Sequence, residues 1–542
     1  MTSPAENLTN LHQNMSIELK ANAGEAGKPL KHYWSFCVGA GRANEGLRAD
    51  WQEHLRLAVK ECGFKYVRFH GLFHDDMFVY REERGQPVFN FQYVDTLFDA
   101  LLDIGIKPLV EFGFCPGDLA IEKGTVFWWK ANGAPPNDFK KWGELIRRAV
   151  QNWVARYGLA EVRTWYFEVW NEPNLHPFFR GTKSQYFELY RITARVLKEI
   201  DPQLPVGGPA TSNFVPDGRF DGETEDVSQH KLITGAKDIN ALDWQPVWLK
   251  QFLTFCQREK LPVDFVSVHP YPTDWALDEH TPGEFKKSTR EAGALAHDVT
   301  LVRKIVDLSP FPKAEIHCTE WNSSSSPRDF THDFLQAATY VTRANLEGIG
   351  TVDSLSYWTF TDVFEEGGAG DTIFHGGFGM INLQGIVKPT FHAYRFLNSL
   401  GDELLERFPA GVVARCSRTK KISAIAYHYP SELPLTVPAS FNSRAKAYET
   451  LALGRPETLR IEFSGLEPGA TILVETLDKQ HGNALAAWES MGAPEPPTRE
   501  QTRQLGAAAR ATAQEIFRAD VNGNFVLQRP IEPWSVILIK EQ

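Results

Sequence analysis

Short apolar runs that alternate with helical stretches are the feature of this sequence that most restricts its fold. Eight such runs lie between Tyr33 and Trp358, and each is followed by a stretch with apolar residues at helical spacing. The runs are Trp34–Gly39, Tyr66–His70, Lys107–Phe112, Trp165–Trp170, Pro205–Gly208, Phe265–His269, Glu315–Thr319 and Ser354–Trp358. The predicted helices include Asp50–Cys62, Val94–Ile104, Asp138–Tyr157, Ser184–Ile200, Trp244–Glu259 and His332–Leu346. This alternation predicts parallel strands joined by helical crossovers.

The number of these units indicates a closed barrel. Eight βα units over about 320 residues fit an α/β fold of the (β/α)8 TIM barrel type, with enlarged loops, better than an open sheet. A chain of 542 residues is also too long for one ordinary core. We therefore predict a catalytic barrel over residues 31–396 and a second domain over residues 397–542.

The second domain has a different pattern, in which alternating strands are separated by turn residues. This pattern is typical of an antiparallel β-sandwich. The predicted strands are Gly411–Arg418, Lys421–Tyr429, Thr458–Phe463, Ala470–Leu477, Phe525–Leu527 and Trp534–Ile539. An insertion at about 481–516 is predicted to form a loop and then a helix from about Thr498. Because Met15–Lys20 alternates in the same way, the N-terminal segment 1–30 is predicted to pair with this β-domain.

Charge and cysteine usage exclude several classes of function. The net charge of −11, from 57 basic and 68 acidic residues, provides no positive field for phosphates, so nucleic acid is not an expected partner. No stretch reaches the roughly 18 apolar residues of a membrane span. The start of the sequence lacks the pattern of a secretory signal, and the 6 cysteines are scattered singly. We expect a cytoplasmic protein with free thiols, and a signal trimmed from its start remains the alternative.

Two glutamates follow predicted strands at the end of the barrel where active sites lie. The fourth run leads into Asn171-Glu172-Pro173, and Pro173 is expected to hold Glu172 in an extended conformation. Strict alternation would turn Asn171 and Glu172 in opposite directions, so the pleat is expected to break here. The seventh run leads into Thr319-Glu320-Trp321. Two carboxylates that face one cavity about 5 to 5.5 Å apart are what retaining hydrolysis of a glycoside requires.

The sequence resembles glycoside hydrolase family 39, which contains β-xylosidases and α-L-iduronidases. An ordered set of motifs carries the resemblance, and it extends into the second domain. The motifs are His70–Asp76, Phe127–Asn132, Glu168–Leu175, Val268–Tyr271, Thr319–Asn322, Tyr357–Glu366, Phe378–Ile381, His481–Asn483 and Pro496–Gln501.

The resemblance implies roles for the residues at the strand ends. Glu172 would be the general acid/base and Glu320 the nucleophile, with the charge of Glu320 raising the pKa of Glu172. Asn171 would bind the hydroxyl beside the anomeric carbon, and Arg68 would keep Glu320 ionised. The other residues implied to orient the nucleophile or to bind the sugar are His70, Asp75, Asp76, Trp129, His269, Tyr271, Trp358 and Glu365. The structural alternatives are a buried ion pair for Arg68, a core histidine for His269 and a barrel-filling aromatic for Trp358.

The resemblance favours an exo-acting β-xylosidase that acts on a xylo-oligosaccharide or another β-xyloside. An α-L-iduronidase or another family 39 glycosidase is the first alternative, and a noncatalytic carbohydrate-binding barrel is a more distant one. A metal-dependent hydrolase is disfavoured because the polar residues at the strand ends are mostly carboxylates, amides and aromatics. We therefore expect no cofactor and no metal. Oligomeric state, including a homo-oligomer, is left open.

Overall fold

A closed barrel of eight parallel strands forms the centre of the computed structural model, which describes residues 16–212, 214–216, 233–234, 240–278, 285–438 and 443–542. Neighbours in the barrel follow the chain order, and the eighth strand pairs with the first. The strands are Cys37–Arg42, Tyr66–His70, Lys107–Phe112, Tyr166–Val169, Val206–Ser212, Phe265–His269, Glu315–Trp321 and Ser354–Tyr357. The predicted (β/α)8 barrel is therefore confirmed.

Each barrel strand is followed by a helix that packs on the outside. These helices are Ala49–Cys62, Gln92–Ile104, Phe139–Tyr157, Lys183–Ile200, Leu249–Arg258, Ala294–Asp307, Leu335–Glu347 and Pro389–Asn398. The helix Phe139–Tyr157 shows why such segments fold: it buries Trp142, Ile146 and Trp153 on one face, and the side chain of Asp138 caps its first turn. Among the described residues, no helix is both long and apolar enough to cross a membrane.

Two further sheets lie outside the barrel and enclose a second apolar core. The three-stranded sheet consists of Ser16–Asn22, Glu457–Ser464 and Phe525–Ile531. The seven-stranded sheet consists, in spatial order, of Lys28–Pro29, Glu403–Phe408, Gly411–Arg415, Ile422–Tyr427, Val536–Glu541, Thr471–Leu477 and Ala513–Arg518. Leu19, Ile461 and Phe463 from the first sheet pack with Ala424 and Ile539 from the second. The extra antiparallel sheets predicted beyond the barrel are thus present.

The early strand Ser16–Asn22 pairs in parallel with Glu457–Ser464. Met15, with the rest of residues 1–15, lies outside the described residues. The predicted insertion contains two helices, Ala484–Ser490 and Arg499–Arg510, and Thr498 caps the second in a capping box with Gln501. The insertion ends earlier than predicted, because Ala513–Arg518 is a strand paired with Thr471–Leu477. The domain limits themselves stay predictions.

For two predicted elements, the first residues have a different secondary structure from the one predicted. Trp34 lies in a short 3-10 helix, Tyr33–Ser35, and the first barrel strand begins only at Cys37. The predicted helix Trp244–Glu259 begins at Leu249, because Trp244–Pro246 forms a strand that pairs with Phe214–Pro216. Pro246 disfavours helical geometry at the residue before it, which explains the extended start.

Candidate active site

Glu172 lies just beyond the end of the fourth barrel strand, where the backbone leaves the sheet. Trp170 and Glu172 have positive φ angles of 71° and 45°, so the predicted extended conformation of Glu172 was wrong. The predicted break in the pleat is present, because two left-handed residues follow Val169 closely. The backbone N–H of Glu172 donates to the carbonyl oxygen of Ala210 at 2.9 Å, which attaches this turn to the fifth strand.

Glu320 lies near the end of the seventh strand and faces Glu172. One carboxylate oxygen of each residue and a ring nitrogen of His269 all lie within 4.8 Å of one another. Glu172 and Glu320 are 6% and 4% exposed, so a ligand could reach both although little solvent does. The Arg68 guanidinium donates to Glu320 Oε1 at 2.6 Å, and the Tyr271 hydroxyl donates to Glu320 Oε2 at 3.1 Å. Both contacts stabilise an ionised Glu320.

Arg68 is the centre of a buried ionic network beneath the two glutamates. Its guanidinium contacts Glu168 at 2.5 Å, Glu111 at 2.9 Å and the side-chain oxygen of Asn171 at 2.9 Å. The side chain of Arg68 has no exposed surface. No role was predicted for Glu111 or Glu168 from the sequence, because both lie within strands rather than after them. Their side chains face Arg68 across the barrel interior.

His269 and Tyr271 contact different members of the glutamate pair. His269 Nδ1 is 2.8 Å from Glu172 Oε1 and 3.7 Å from Glu320 Oε2, so its closer contact is with the predicted acid/base. Tyr271 contacts Glu320, as described above. Both residues were predicted to orient the nucleophile or the sugar; Tyr271 contacts Glu320, whereas the closer hydrogen bond of His269 is with Glu172.

His70 connects the glutamate pair to the loop after the eighth strand. Its Nδ1 atom is 2.6 Å from Glu111, and its Nε2 atom is 3.4 Å from Glu320 and 3.5 Å from Glu366. Glu365, which was predicted to bind the sugar, pairs with Arg42 at 2.8 Å and with Arg48 at 3.4 Å, and its role stays a prediction. Glu366 is the residue of this loop that joins the site, and no sequence pattern distinguished it from its neighbour.

Aromatic side chains surround this polar centre. Trp358 is 2% exposed, and its ring centroid lies 4.7 Å from that of His70 and 6.0 Å from that of Phe364. Trp129 stacks on Phe127 at 5.4 Å. Such faces match the apolar faces of a pyranose ring. The role of Trp358 as a sugar platform stays a prediction.

Asp75 and Asp76 are occupied by protein partners. Asp75 accepts a hydrogen bond from the backbone N–H of Gly117 at 2.8 Å. Asp76 lies 2.7 Å from His74 and forms an ion pair with Arg42. Neither carboxylate has a described contact with the glutamate pair, and their role in binding the sugar stays a prediction.

Burial sets the protonation of the site. Burial raises the pKa of Glu172 to about 7, although the Ser212 hydroxyl and the charge of His70 oppose the rise. Repulsion from Glu320 was predicted as the cause, but burial is the largest cause, and the anion that adds to it is Glu111. Burial also raises the pKa of Glu320, against the charge of Arg68. Because Glu320 holds the guanidinium and Glu172 has no described cation in contact, we place the proton of the pair on Glu172.

The two histidines have opposite charge states. Burial lowers the pKa of His269 to about 4, so its ring is neutral near pH 7. For His70 burial acts in the same direction, but the Glu111 carboxylate outweighs it and raises the pKa to about 10. His70 is therefore a cation beneath the pair, whereas His269 is a neutral hydrogen-bonding group.

Glu172, His269 and Glu320 also form a group that could offer three ligand atoms to a metal ion. The Arg68 cation is 2.6 Å from Glu320 and opposes a second positive charge at that carboxylate. The donor set therefore suits carboxylate chemistry better than a divalent ion. The expectation that the enzyme needs no metal stays a prediction.

The chain is similar to known glycoside hydrolases over most of its length. The model of the glycosyl hydrolases family 39 matches residues 15–524. A β-xylosidase of Geobacillus stearothermophilus is 37% identical over 90% of this chain and 89% of its own length. Human α-L-iduronidase is 24% identical over 96% of this chain and 77% of its own length. The crystal structure of a GH39 enzyme from Xanthomonas axonopodis pv. citri is 33% identical, covers 99% of this chain and 100% of that chain, and has a TM-score of 0.83. The chain therefore belongs to glycoside hydrolase family 39.

Proposed function

We propose that this enzyme is a retaining exo-β-1,4-xylosidase that releases terminal nonreducing β-D-xylose from xylo-oligosaccharides by double displacement. The observation that carries the proposal is the pair of carboxylates, with oxygens of Glu172 and Glu320 within 4.8 Å. Retaining glycosidases have carboxyl groups about 5 to 5.5 Å apart, whereas inverting enzymes need about 6.5 to 9.5 Å to admit a water molecule.

In the first step, ionised Glu320 attacks the anomeric carbon while protonated Glu172 gives its proton to the leaving oxygen. A sugar ester of Glu320 forms and the glycosidic bond breaks. In the second step, Glu172 takes a proton from water, and the water oxygen displaces Glu320. Asn171, held by Arg68 at 2.9 Å, is placed to bind the neighbouring sugar hydroxyl as charge develops.

The choice of xyloside over iduronide rests on sequence similarity and on charge. The β-xylosidase relative is 37% identical and the human iduronidase is 24% identical. An iduronate carboxylate requires a cation, and the arginines described near the site already have anionic partners. Arg68 contacts Glu111, Glu168 and Glu320, and Arg42 contacts Asp76 and Glu365.

A panel of nitrophenyl glycosides tests the substrate. We expect the β-D-xyloside to be cleaved far faster than the β-D-glucoside, the α-L-arabinoside or the α-L-iduronide, with single xylose units released from xylo-oligosaccharides. A preference for the iduronide would overturn the proposal.

Variants of the two glutamates test their roles separately. On dinitrophenyl xyloside, whose leaving group needs no proton, Glu172→Ala should show a burst and then slow turnover, because the intermediate lacks a base. Azide should restore turnover and give a β-xylosyl azide. Glu320→Ala should show no burst, and azide rescue of this variant should give the α-azide. An exchange of these behaviours between the two variants would reverse the assignment.

A further inference from the structure

A chain of buried polar side chains leads from Glu172 away from the sugar site. His269 Nδ1 lies 2.8 Å from Glu172, and His269 Nε2 lies 3.0 Å from the Thr319 hydroxyl oxygen. The Thr319 hydroxyl is 2.7 Å from Glu168 Oε1, and the other oxygen of Glu168 is 2.5 Å from Arg68. His269, Thr319, Glu168 and Arg68 are each 0% exposed, so solvent cannot replace any of these contacts.

The donor and acceptor in each of these hydrogen bonds can be assigned from Glu168, which is paired with Arg68. Burial opposes ionisation of Glu168, but the Arg68 charge outweighs it and lowers the pKa, so Glu168 is an anion that can only accept. The hydroxyl of Thr319 has a single hydrogen, which it donates to Glu168. The Thr319 oxygen can therefore only accept from His269, and the hydrogen of the neutral imidazole must be on Nε2.

This assignment leaves His269 Nδ1 as an unprotonated acceptor that faces Glu172. We propose that Thr319 is a positioning residue that fixes His269 as the Nε2–H tautomer, so that Nδ1 accepts a hydrogen bond from the protonated Oε1 of Glu172 and stabilises the acid in its protonated form. The proposal rests on the proposed role of Glu172. An ionised Glu172 would place an anionic oxygen 2.8 Å from a nitrogen lone pair, which disfavours loss of the proton before substrate binds.

The same contacts fit both chemical steps. The proton leaves Glu172 for the leaving oxygen in the first step, and a proton from water restores the Glu172 to His269 hydrogen bond in the second. Thr319 and His269 exchange no proton with the substrate in either step.

Other charged groups around Glu172 also influence its protonation. Glu320 on the seventh strand and Arg68 and His70 on the second carry charge near it, as do Glu111 on the third strand and Glu366 after the eighth. The Tyr271 hydroxyl also faces the pair. None of these groups contacts the Thr319 hydroxyl. A change at Thr319 can therefore reach Glu172 through His269 or through Glu168 and Arg68, and a control variant at Ser267 tests the second route.

The test compares Thr319→Val, Thr319→Ser and Ser267→Ala. Thr319→Val removes the acceptor of Nε2–H, so His269 can move its hydrogen to Nδ1 and stabilise an ionised Glu172. Thr319→Ser keeps the hydroxyl. Ser267→Ala is the control, because the buried Ser267 hydroxyl is close enough to Glu168 to help lower the pKa of that carboxyl but has no described contact with His269.

The first readout is the pH dependence of kcat/KM on a xyloside with a poor leaving group. We expect the basic limb of the profile to move down by about 1 pH unit in Thr319→Val and to keep its wild-type position in the other two variants. A purely structural role for Thr319 would lower kcat/KM equally at every pH, and that result would overturn the proposal.

The second readout is ¹⁵N NMR of histidine-labelled enzyme, with His269→Asn used to assign the His269 signals. A protonated Nε2 and an unprotonated Nδ1 are expected in the wild type, and a hydrogen on Nδ1 would refute the assignment. If the wild type itself shows no basic limb that depends on the leaving group, the acid role of Glu172 fails. If it does show that limb and Thr319→Val leaves it in place, only the role of Thr319 fails.

Discussion

The protonation of Glu172 gives the sharpest kinetic prediction. Burial raises the pKa of this carboxyl from the ordinary 4.5 to about 7. At pH 6 about 90% of Glu172 then carries the proton that the leaving oxygen needs, against about 3% at the ordinary value. This gain in usable acid is about 30-fold, which corresponds to roughly 2 kcal/mol at about 1.4 kcal/mol for each factor of ten.

The direction in which kcat/KM changes with pH follows from the role of Glu172 as the acid. Because only protonated Glu172 donates, kcat/KM on a xyloside with a poor leaving group should fall about tenfold for each pH unit above about 7. Dinitrophenyl xyloside needs no proton for bond cleavage, so its kcat/KM should lack this limb.

The test is to measure kcat/KM from pH 4 to pH 9 on the xyloside with a poor leaving group and on dinitrophenyl xyloside, and to compare the two pH profiles. An identical basic limb on the two substrates would refute the reasoning, because the titrating group would then not be the acid. A basic limb near pH 4.5 on the poor substrate would refute the effect of burial.

Three further predictions follow from the same network. Arg68→Met should lower the free energy of unfolding by about 3 to 5 kcal/mol in denaturant titration, because it leaves buried carboxylates without a cation. The acidic limb of kcat/KM should also move to higher pH, because Glu320 becomes harder to ionise. Glu172→Gln should stabilise the fold at pH 8 by up to about 3 kcal/mol and should have no such effect at pH 4. Between pH 4.5 and about 7 the folded wild type keeps a proton on Glu172 that the unfolded chain loses, so wild-type stability falls as pH rises through that window. Equal effects at both pH values would argue against the raised pKa. Glu366→Gln should lower kcat/KM at least tenfold more than Glu365→Gln, and the reverse order would show that the contact with His70 is not the important one.

The barrel could be predicted because its strands are buried on both faces. Tyr66–His70, Lys107–Phe112 and Phe265–His269 were predicted with the bounds that the structure gives them, since such strands appear as short runs rich in apolar residues. Glu403–Phe408 and Ala513–Arg518 escaped prediction. Both are largely exposed or half-buried along their length and lack a clear alternation of buried and exposed residues.

The site could be predicted at the level of its two glutamates, which follow strands and belong to recognisable motifs. Its supporting network was harder to foresee, because Glu111 contacts Arg68 and His70 only after the barrel closes. The choice between Glu365 and Glu366 depends on how one loop turns, and adjacent identical residues carry no signal of that direction. Long-range closure and loop geometry are thus the parts that local pattern could not supply.

The central claim is that Glu320 forms a covalent bond to the sugar. Incubation with a 2-deoxy-2-fluoro-β-D-xyloside that carries a dinitrophenyl leaving group should trap the intermediate, because the fluorine slows its breakdown more than its formation. Mass spectrometry of the digested enzyme should then find one fluoroxylosyl group on the peptide that contains Glu320. A label on Glu172, or turnover of the natural substrate that first releases α-xylose with no label on any peptide, would contradict this account.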